Sequence, residues 1–360
     1  MPIWNFRKKN ETPDEPEVEA SPQEILDAID LDDFLAAGPY LAEDPSRTAS
    51  GLHPHEVLIL YFAASLYTDQ EDFPTFWRRD YGILQMPKLL ASLVERDFLT
   101  EAPIEQTLEA ATVPALKAAL KKSGKPVGGK KTELIERLLT TVPEGELYAL
   151  FPRRTFALTA AGVRAIDEAM HIPYLHKYPV EGMTLWTLHR EVAQRPEQSY
   201  RDLIWTHLET RSLSHLQAGA YDAYRACRYR MYQFQMEDNK LKRAFPLLAE
   251  VIYYDLSGSV GGLDPLFRYV SEKYFFPYDK SIVRLSATSV QAMARLKADL
   301  DLSEEMLRAL LMQFFGQLSV PFHLFTIKEC AVIVLLELRG DIDLLREVYK
   351  MAETRFGQPD

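Results

Sequence analysis

The stretch "TVPALKAALKKSGKPVGGKKTELIERLL", residues 112–139, is out of keeping with the chain around it. The 360 residues hold 41 Lys and Arg against 52 Asp and Glu, a formal net charge of -11. Within the stretch stand seven basic residues, Lys117, Lys121, Lys122, Lys125, Lys130, Lys131 and Arg137, and two acidic ones, Glu133 and Glu136. The stretch is therefore +5, and the rest of the chain -16. Its pattern predicts two short helices. Thr112 is an N-cap, Pro114 suits a first turn, and Val113, Leu116 and Leu120 share one face. Gly124 ends the first helix. Lys125 to Gly129 crosses over, and Gly128 with Gly129 permits a positive φ or a close approach. The second helix starts near Lys130 and offers Leu134, Ile135 and Leu138 to the first. Lys130 and Lys131 then lie at a helix N-terminus, where free N–H groups and the positive dipole end attract an anion. Charge, donors and thin backbone converge on one spot suited to a nucleic-acid phosphate.

These residues resemble a SAP domain, a helix-loop-helix module of about a tenth of the chain. The resemblance rests on Leu116, Lys117, Leu120, Gly124, Pro126, Gly129, Lys130, Glu133, Leu134, Ile135, Arg137 and Leu138. Lys125 departs from it, since the family usually has an apolar residue after the glycine. The resemblance implies DNA binding, in some members RNA binding, by an accessory module rather than a catalyst. The residues expected to meet nucleic acid are Lys117, Lys121, Lys122, Lys125, Gly128, Gly129, Lys130, Lys131 and Arg137. A solvated basic pair of helices packing on the protein's own acidic surface is the plainer alternative.

The flanks read as helix, helix, strand, strand, helix once residues 107–142 are removed. "LLASLVERDFLTEA" and "RRTFALTAAGVRAIDEA" resemble winged-helix repressors of the MarR kind, in which a recognition helix leads into a two-stranded wing and then L-T-x-x-G. The SAP module is then an insertion at the tip of the wing, where insertions are tolerated. The candidate recognition helix, 86–97, has only Lys88 and Arg96 as basic groups, which is thin for reading a major groove. Arg78 and Arg79 beside Trp77, and Arg153 and Arg154 in the wing, are further candidates for phosphate contact. The order of pieces also resembles uncharacterised, phage-associated bacterial proteins that carry a SAP domain.

From 181 onward the pattern is helical. Ser303 caps one helix, Thr326 and Glu329 form a capping box for another, and Gly340 ends it. The series Tyr221, Tyr224, Arg225, Arg228, Arg230, Tyr232 suits base stacking or, more plainly, a helix core with snorkelling arginines. The expected fold is thus mainly α, in four parts: a disordered lead-in (1–20), a winged-helix-like domain (21–106 and 143–180), the SAP module (107–142) and an all-α bundle (181–360). Ser21, Pro22 and Glu24 begin an expected helix over 21–38, whose Asp27, Asp30, Asp32 and Asp33 form a solvated face.

Catalytic signals are few. "DLSGSVGG" lacks the Lys-Ser/Thr of a P-loop. His53 and His55 flank Pro54 at a helix start and are expected at capping or surface positions. His171 and His176 have no carboxylate at a metal-ligand offset. No cofactor and no metal are expected. Cys227 and Cys330 are too few and too far apart for a disulfide framework and are expected as buried thiols. There is no signal-peptide pattern, and the longest apolar run, 57–67, is too short for a bilayer. A cytoplasmic, non-enzymatic DNA-binding protein is the expectation, with a protein partner or a second protomer on the C-terminal helices. A processing enzyme tethered by the module and a protein-interaction scaffold are the alternatives.

Overall fold

The computed structural model describes residues 46–259, 274–320 and 322–356. The lead-in, the expected helix over 21–38 and most of "SVGGLDP" lie outside the described residues. The chain divides into two compact units, 1–194 and 195–360, so the first extends past the expected boundary at 180.

The first unit is organised around α1 (Pro54–Phe62), in which every residue from Pro54 to Leu60 is buried. A helix apolar all round is enclosed on all sides, and α1 touches four others: α3 (Met86–Glu95), α8 (Ala160–Glu168), α9 (His171–Lys177) and α10 (Leu185–Gln194). A 3₁₀ turn (Ala63–Ser65) and α2 (Phe76–Tyr81) stand between α1 and α3. After α3 come β1 (Leu99–Glu101) and a long excursion that returns in β2 (Phe156–Leu158). The strands pair antiparallel, Leu99 with Leu158 and Glu101 with Phe156, and Tyr67 bridges Thr155 beside them.

The L-T-x-x-G run after β2 has a physical reason. Thr159 caps α8 by accepting from the Gly162 N–H at 3.1 Å, and its hydroxyl donates to the Asp97 carbonyl at 2.5 Å. A Cβ on Gly162 would lie 2.2 Å from the Phe98 carbonyl oxygen, so only glycine lets α8 approach the end of β1 so closely.

The excursion carries α4 (Ile104–Ala110), α5 (Val113–Lys122), α6 (Lys131–Thr141) and α7 (Glu144–Leu150). These four share one apolar core of Ile104, Leu108, Leu116, Ala119, Leu120, Leu134, Leu138, Val142 and Leu147. The self-packed insertion is thus longer than 107–142, because α4 and α7 close the open side of α5 and α6.

The expectation of surface histidines is corrected. His53 does occupy the N-cap of α1, and its N–H donates to Glu56 at 2.7 Å, but its ring and that of His55 are buried and stack at 5.6 Å. The helices around α1 cover its start as well as its flanks. A second buried pair joins α9 to α10, His171 Nε2 lying 3.0 Å from His189 Nδ1. Burial, with a lesser contribution from its histidine neighbour, pushes His55 and His171 each down to about 3.

In the second unit the described regular elements are helical. Three long helices, α11 (Tyr200–Gln217), α12 (Tyr221–Glu237) and α13 (Leu241–Ser257), pack in sequence through short turns. A 3₁₀ turn (Tyr278–Lys280) precedes α14 (Ala287–Asp299), α15 (Glu304–Phe315), α16 (Ile327–Arg339) and α17 (Ile342–Phe356). Ser303 caps α15, Thr326 and Glu329 box the start of α16, and Gly340 ends it at φ +69°. Tyr253 stacks on Phe315 at 4.9 Å, and Phe325 meets Tyr349 at 4.7 Å. Cys227 and Cys330 are buried and form no disulfide. No helix among the described residues is long and apolar enough to cross a membrane.

Two outcomes are expected. Replacing residues 104–152 with a short Gly/Ser linker changes the stability of the remainder by only about 1–2 kcal/mol. Replacing 107–142 alone leaves Ile104 and Leu147 without partners and gives an association-prone protein. Urea unfolding with gel filtration checks both, and aggregation of the longer excision would make the insertion part of the main core. The buried imidazoles set the acid response. An unfolded histidine takes a proton near pH 6.5, whereas folded His55 and His171 stay neutral to about pH 3. The unfolded state then binds more protons, so stability falls as pH drops below about 6.5, by roughly 1.4 kcal/mol per pH unit for each histidine. A melting temperature unchanged between pH 7.5 and pH 5 contradicts this.

Candidate nucleic-acid interface

Two contacts fix the course of α5 and α6. Lys131 Nζ, at the start of α6, donates to the Glu109 carbonyl ahead of α5 at 2.6 Å. Ser123, just past α5, donates to Glu146 beyond α6 at 2.8 Å. The two helices therefore run the same way, and residues 124–130 return along their length. Leu116, Leu120, Leu134 and Leu138 form the seam between them, each with no exposed surface.

Backbone chemistry holds the returning segment. Gly124 takes φ +67°, and Lys125 N–H donates to the Leu120 carbonyl at 2.8 Å, closing α5. Arg137 reaches back from α6 and donates to the Pro126 and Gly128 carbonyls at 2.7 and 2.9 Å. At the start of α6, Glu133 accepts from the Lys130 N–H at 3.1 Å. Gly129 makes room for that carboxylate: at its φ of +125° an added Cβ would lie 2.4 Å from Glu133 Oε2. Gly128 has open space around it and no positive φ. Of the glycine pair, only Gly129 is required by the backbone.

The expected site residues divide by role and by place. Lys117, Lys121, Lys122 and Lys130 are exposed, as are Gly128 and Gly129. Lys125, Lys131 and Arg137 are half-buried, the last two making the hydrogen bonds described above. The lysines of the module do not all lie at the start of α6. Because α5 and α6 run in parallel, Lys130 and Lys131 lie at one end of the pair and Lys121, Lys122 and Lys125 at the other. A ten-residue helix spans about 15 Å, and successive residues turn by about 100°, so Lys117 and Lys121 share one flank of α5 while Lys122 faces the other.

The other basic candidates are largely engaged within the protein. Arg153 pairs with Asp69 at 3.0 Å and lies over Tyr67 at 4.2 Å. Arg154 pairs with Glu101 at 2.9 Å and lies over Tyr148 at 4.6 Å. Arg96 pairs with Glu56, and Arg79 with Asp80 at 2.6 Å. Arg78 and Lys88 are exposed. In the Arg and Tyr series on α12, Tyr224 and Tyr232 are buried, as the helix-core reading expects, and the arginines are held by acids rather than reaching freely to solvent. Arg225 binds Asp255 through two hydrogen bonds of 2.8 and 2.7 Å, and Arg228 binds Glu250 at 2.6 Å, both acids lying on α13. Tyr224 donates to the same Glu250, and Arg230 holds Glu237 at 2.9 Å. Burial raises the Asp255 carboxyl against the opposing pull of Arg225.

Residues 107–142 match the SAP domain family. The match covers a tenth of the chain, carries seven basic and three acidic residues, and suggests nucleic-acid binding in general. No curated protein and no solved structure matches the chain.

The two glycines provide a test of the loop. Gly129→Ala forces a side chain into a positive φ and against Glu133, at an expected cost of about 1–3 kcal/mol. Gly128→Ala is expected to stay within about 0.5 kcal/mol of the parent. Urea titration of both variants checks the difference, and equal stabilities would contradict the assigned loop conformation.

Proposed function

We propose that the protein binds nucleic acid, DNA in the first place, through the exposed lysines of its SAP domain, and that it does so without catalysing a reaction. The observation that carries this reading is that Lys117, Lys121, Lys122 and Lys130 are all exposed on a module in which Arg137 holds the loop and Lys131 bonds the Glu109 carbonyl. Lysines at both ends of a helix pair about 15 Å long reach two segments of phosphate backbone rather than a single phosphate. Exposed ammonium groups on flexible stems suit sequence-independent attraction, since phosphate contacts position a protein without reading bases.

The rest of the first unit acts as a winged-helix-like platform in this reading. Its support is the order α3, β1, β2, α8, the ladder between the strands, and the position of the insertion between them. With Arg153 and Arg154 paired internally, the platform presents the SAP domain more than it reads bases. The C-terminal helices would engage a protein partner or a second copy. Two buried cysteines that form no disulfide agree with a cytoplasmic setting.

Fluorescence anisotropy with a labelled duplex at several salt concentrations tests the reading. With about three to five phosphates neutralised, log K falls against log salt with a slope of roughly -3 to -4.5. The triple variant Lys117→Glu, Lys121→Glu, Lys130→Glu is expected to lose most of this binding while keeping its melting temperature, because all three side chains are exposed. Lys131 is left intact, since its reversal would break the bond to Glu109. Duplex binding by the triple variant as tight as that of the parent overturns the reading.

A further inference from the structure

The second unit contains a groove of about 670 Å³ bounded by α11, α12 and the start of α13. Its walls bring together three kinds of group. The first is an uncapped helix N-terminus. Lys240 is the N-cap of the 17-residue α13, no side chain accepts from its first N–H groups, and its first turn holds no acid. That turn carries Lys242 and Arg243, both exposed and neither with an ion-pair partner among the described residues. Backbone donors, dipole and two cations thus point one way, toward an anion. The second is an aromatic face: Trp205 of α11 is half-buried in the wall, tilted against Phe234 at 6.1 Å. The third is a pair of acceptors. Gln235 lines the groove, is only 4 % exposed, and its Oε1 has no hydrogen-bond partner. Pro246, also in the wall, has no N–H to give to the Lys242 carbonyl one turn earlier.

An orphaned buried amide oxygen is costly unless something donates to it. The acids nearby leave the cationic end open. Asp238 lies between Arg201 at 2.6 Å and Lys240 at 2.7 Å, and Asp202 accepts from its own cap, Ser199, at 2.7 Å. Glu209, one turn beyond Trp205 on α11, is like Asp202 an exposed carboxylate of the groove. A ligand matching these walls has an anionic group, a flat ring and N–H donors. We propose that this groove is a second, separate binding site for a phosphorylated nucleotide, with its phosphate on the first turn of α13 and its base against Trp205. The nucleotide belongs either to a single strand or to a free nucleoside phosphate, which share that chemistry.

The test uses the full-length protein carrying Lys117→Glu, Lys121→Glu and Lys130→Glu, so that binding at the SAP domain is silenced. Tryptophan fluorescence is titrated with a single-stranded oligonucleotide, with a nucleoside triphosphate and with inorganic tripolyphosphate. Saturable quenching by the first or the second is expected, lost in Trp205→Phe. Adding Lys242→Glu and Arg243→Glu is expected to weaken it by about tenfold or more, with the milder Lys242→Ala, Arg243→Ala pair between. Tighter binding of the oligonucleotide identifies a strand, and equal binding a free nucleotide. Absence of Trp205-dependent quenching, or an affinity unmoved by the α13 reversals, overturns the site. Quenching by tripolyphosphate equal to that by either nucleotide overturns the base half. Duplex binding by the parent reports on the SAP domain alone, so the two readings can fail separately.

Discussion

A ladder of three residue pairs, Leu99 to Glu101 against Phe156 to Leu158, holds both ends of a long insertion in register. Such a ladder is too short to be stable by itself, and its surroundings supply the rest. Gly162 lets α8 close over Phe98, Thr159 ties the end of α3 to the start of α8, and the segment around Tyr67 bridges Thr155 beside β2. The cost of closing so long a loop grows only slowly with its length. The segment between the strands is therefore free to be a folded body. It became one by gathering Ile104, Leu108 and Leu147 onto the leucine seam of α5 and α6.

The charge of the chain is arranged on the same principle of separation. Several cations away from the insertion are neutralised within the fold, as Arg225 is by Asp255, Arg228 by Glu250 and Arg355 by Glu329. Exposed pairs of this sort contribute little to stability, whereas half-buried ones such as Arg228 with Glu250 fix how α12 sits on α13. Exposed cations without an ion-pair partner among the described residues lie on the SAP domain and on the first turn of α13, and also elsewhere, as Arg78, Arg308 and Lys328 do. An excess that is local on an acidic chain attracts a polyanion at that surface and repels it elsewhere.

Local patterns were legible in the sequence where a residue has one strong conformational preference. Thr112, Ser303 and the Thr326–Glu329 box were placed by capping chemistry, and Gly124 and Gly340 by their left-handed turns. The SAP pattern was legible because its leucines, glycines and the Lys130 start are fixed by a small core. What stayed hidden depends on pairings between distant residues. Nothing in "YDAYRACRYR" announces that Glu250 and Asp255, on the next helix, will take its arginines. The burial of His53 and His55 follows from four helices covering α1, which no local pattern records. The parallel course of α5 and α6 was equally invisible, since a loop of this length permits either direction. That course puts Lys121 and Lys122 at the opposite end of the pair from Lys130 and Lys131.

The separation changes what the module is suited to do. Lysines gathered at one helix N-terminus would favour a single compact anion, with backbone N–H groups adding to the grip. Lys130 at one end and Lys121 and Lys122 at the other instead form an elongated strip, and the N-terminus of α6 is already occupied by Glu133. A strip spanning about 15 Å exceeds the Debye length of about 8 Å at physiological salt, so its two ends act as separate charges in solution. They act together only on a ligand that is itself extended and charged throughout. That condition selects against small anions and suits an extended polyanion.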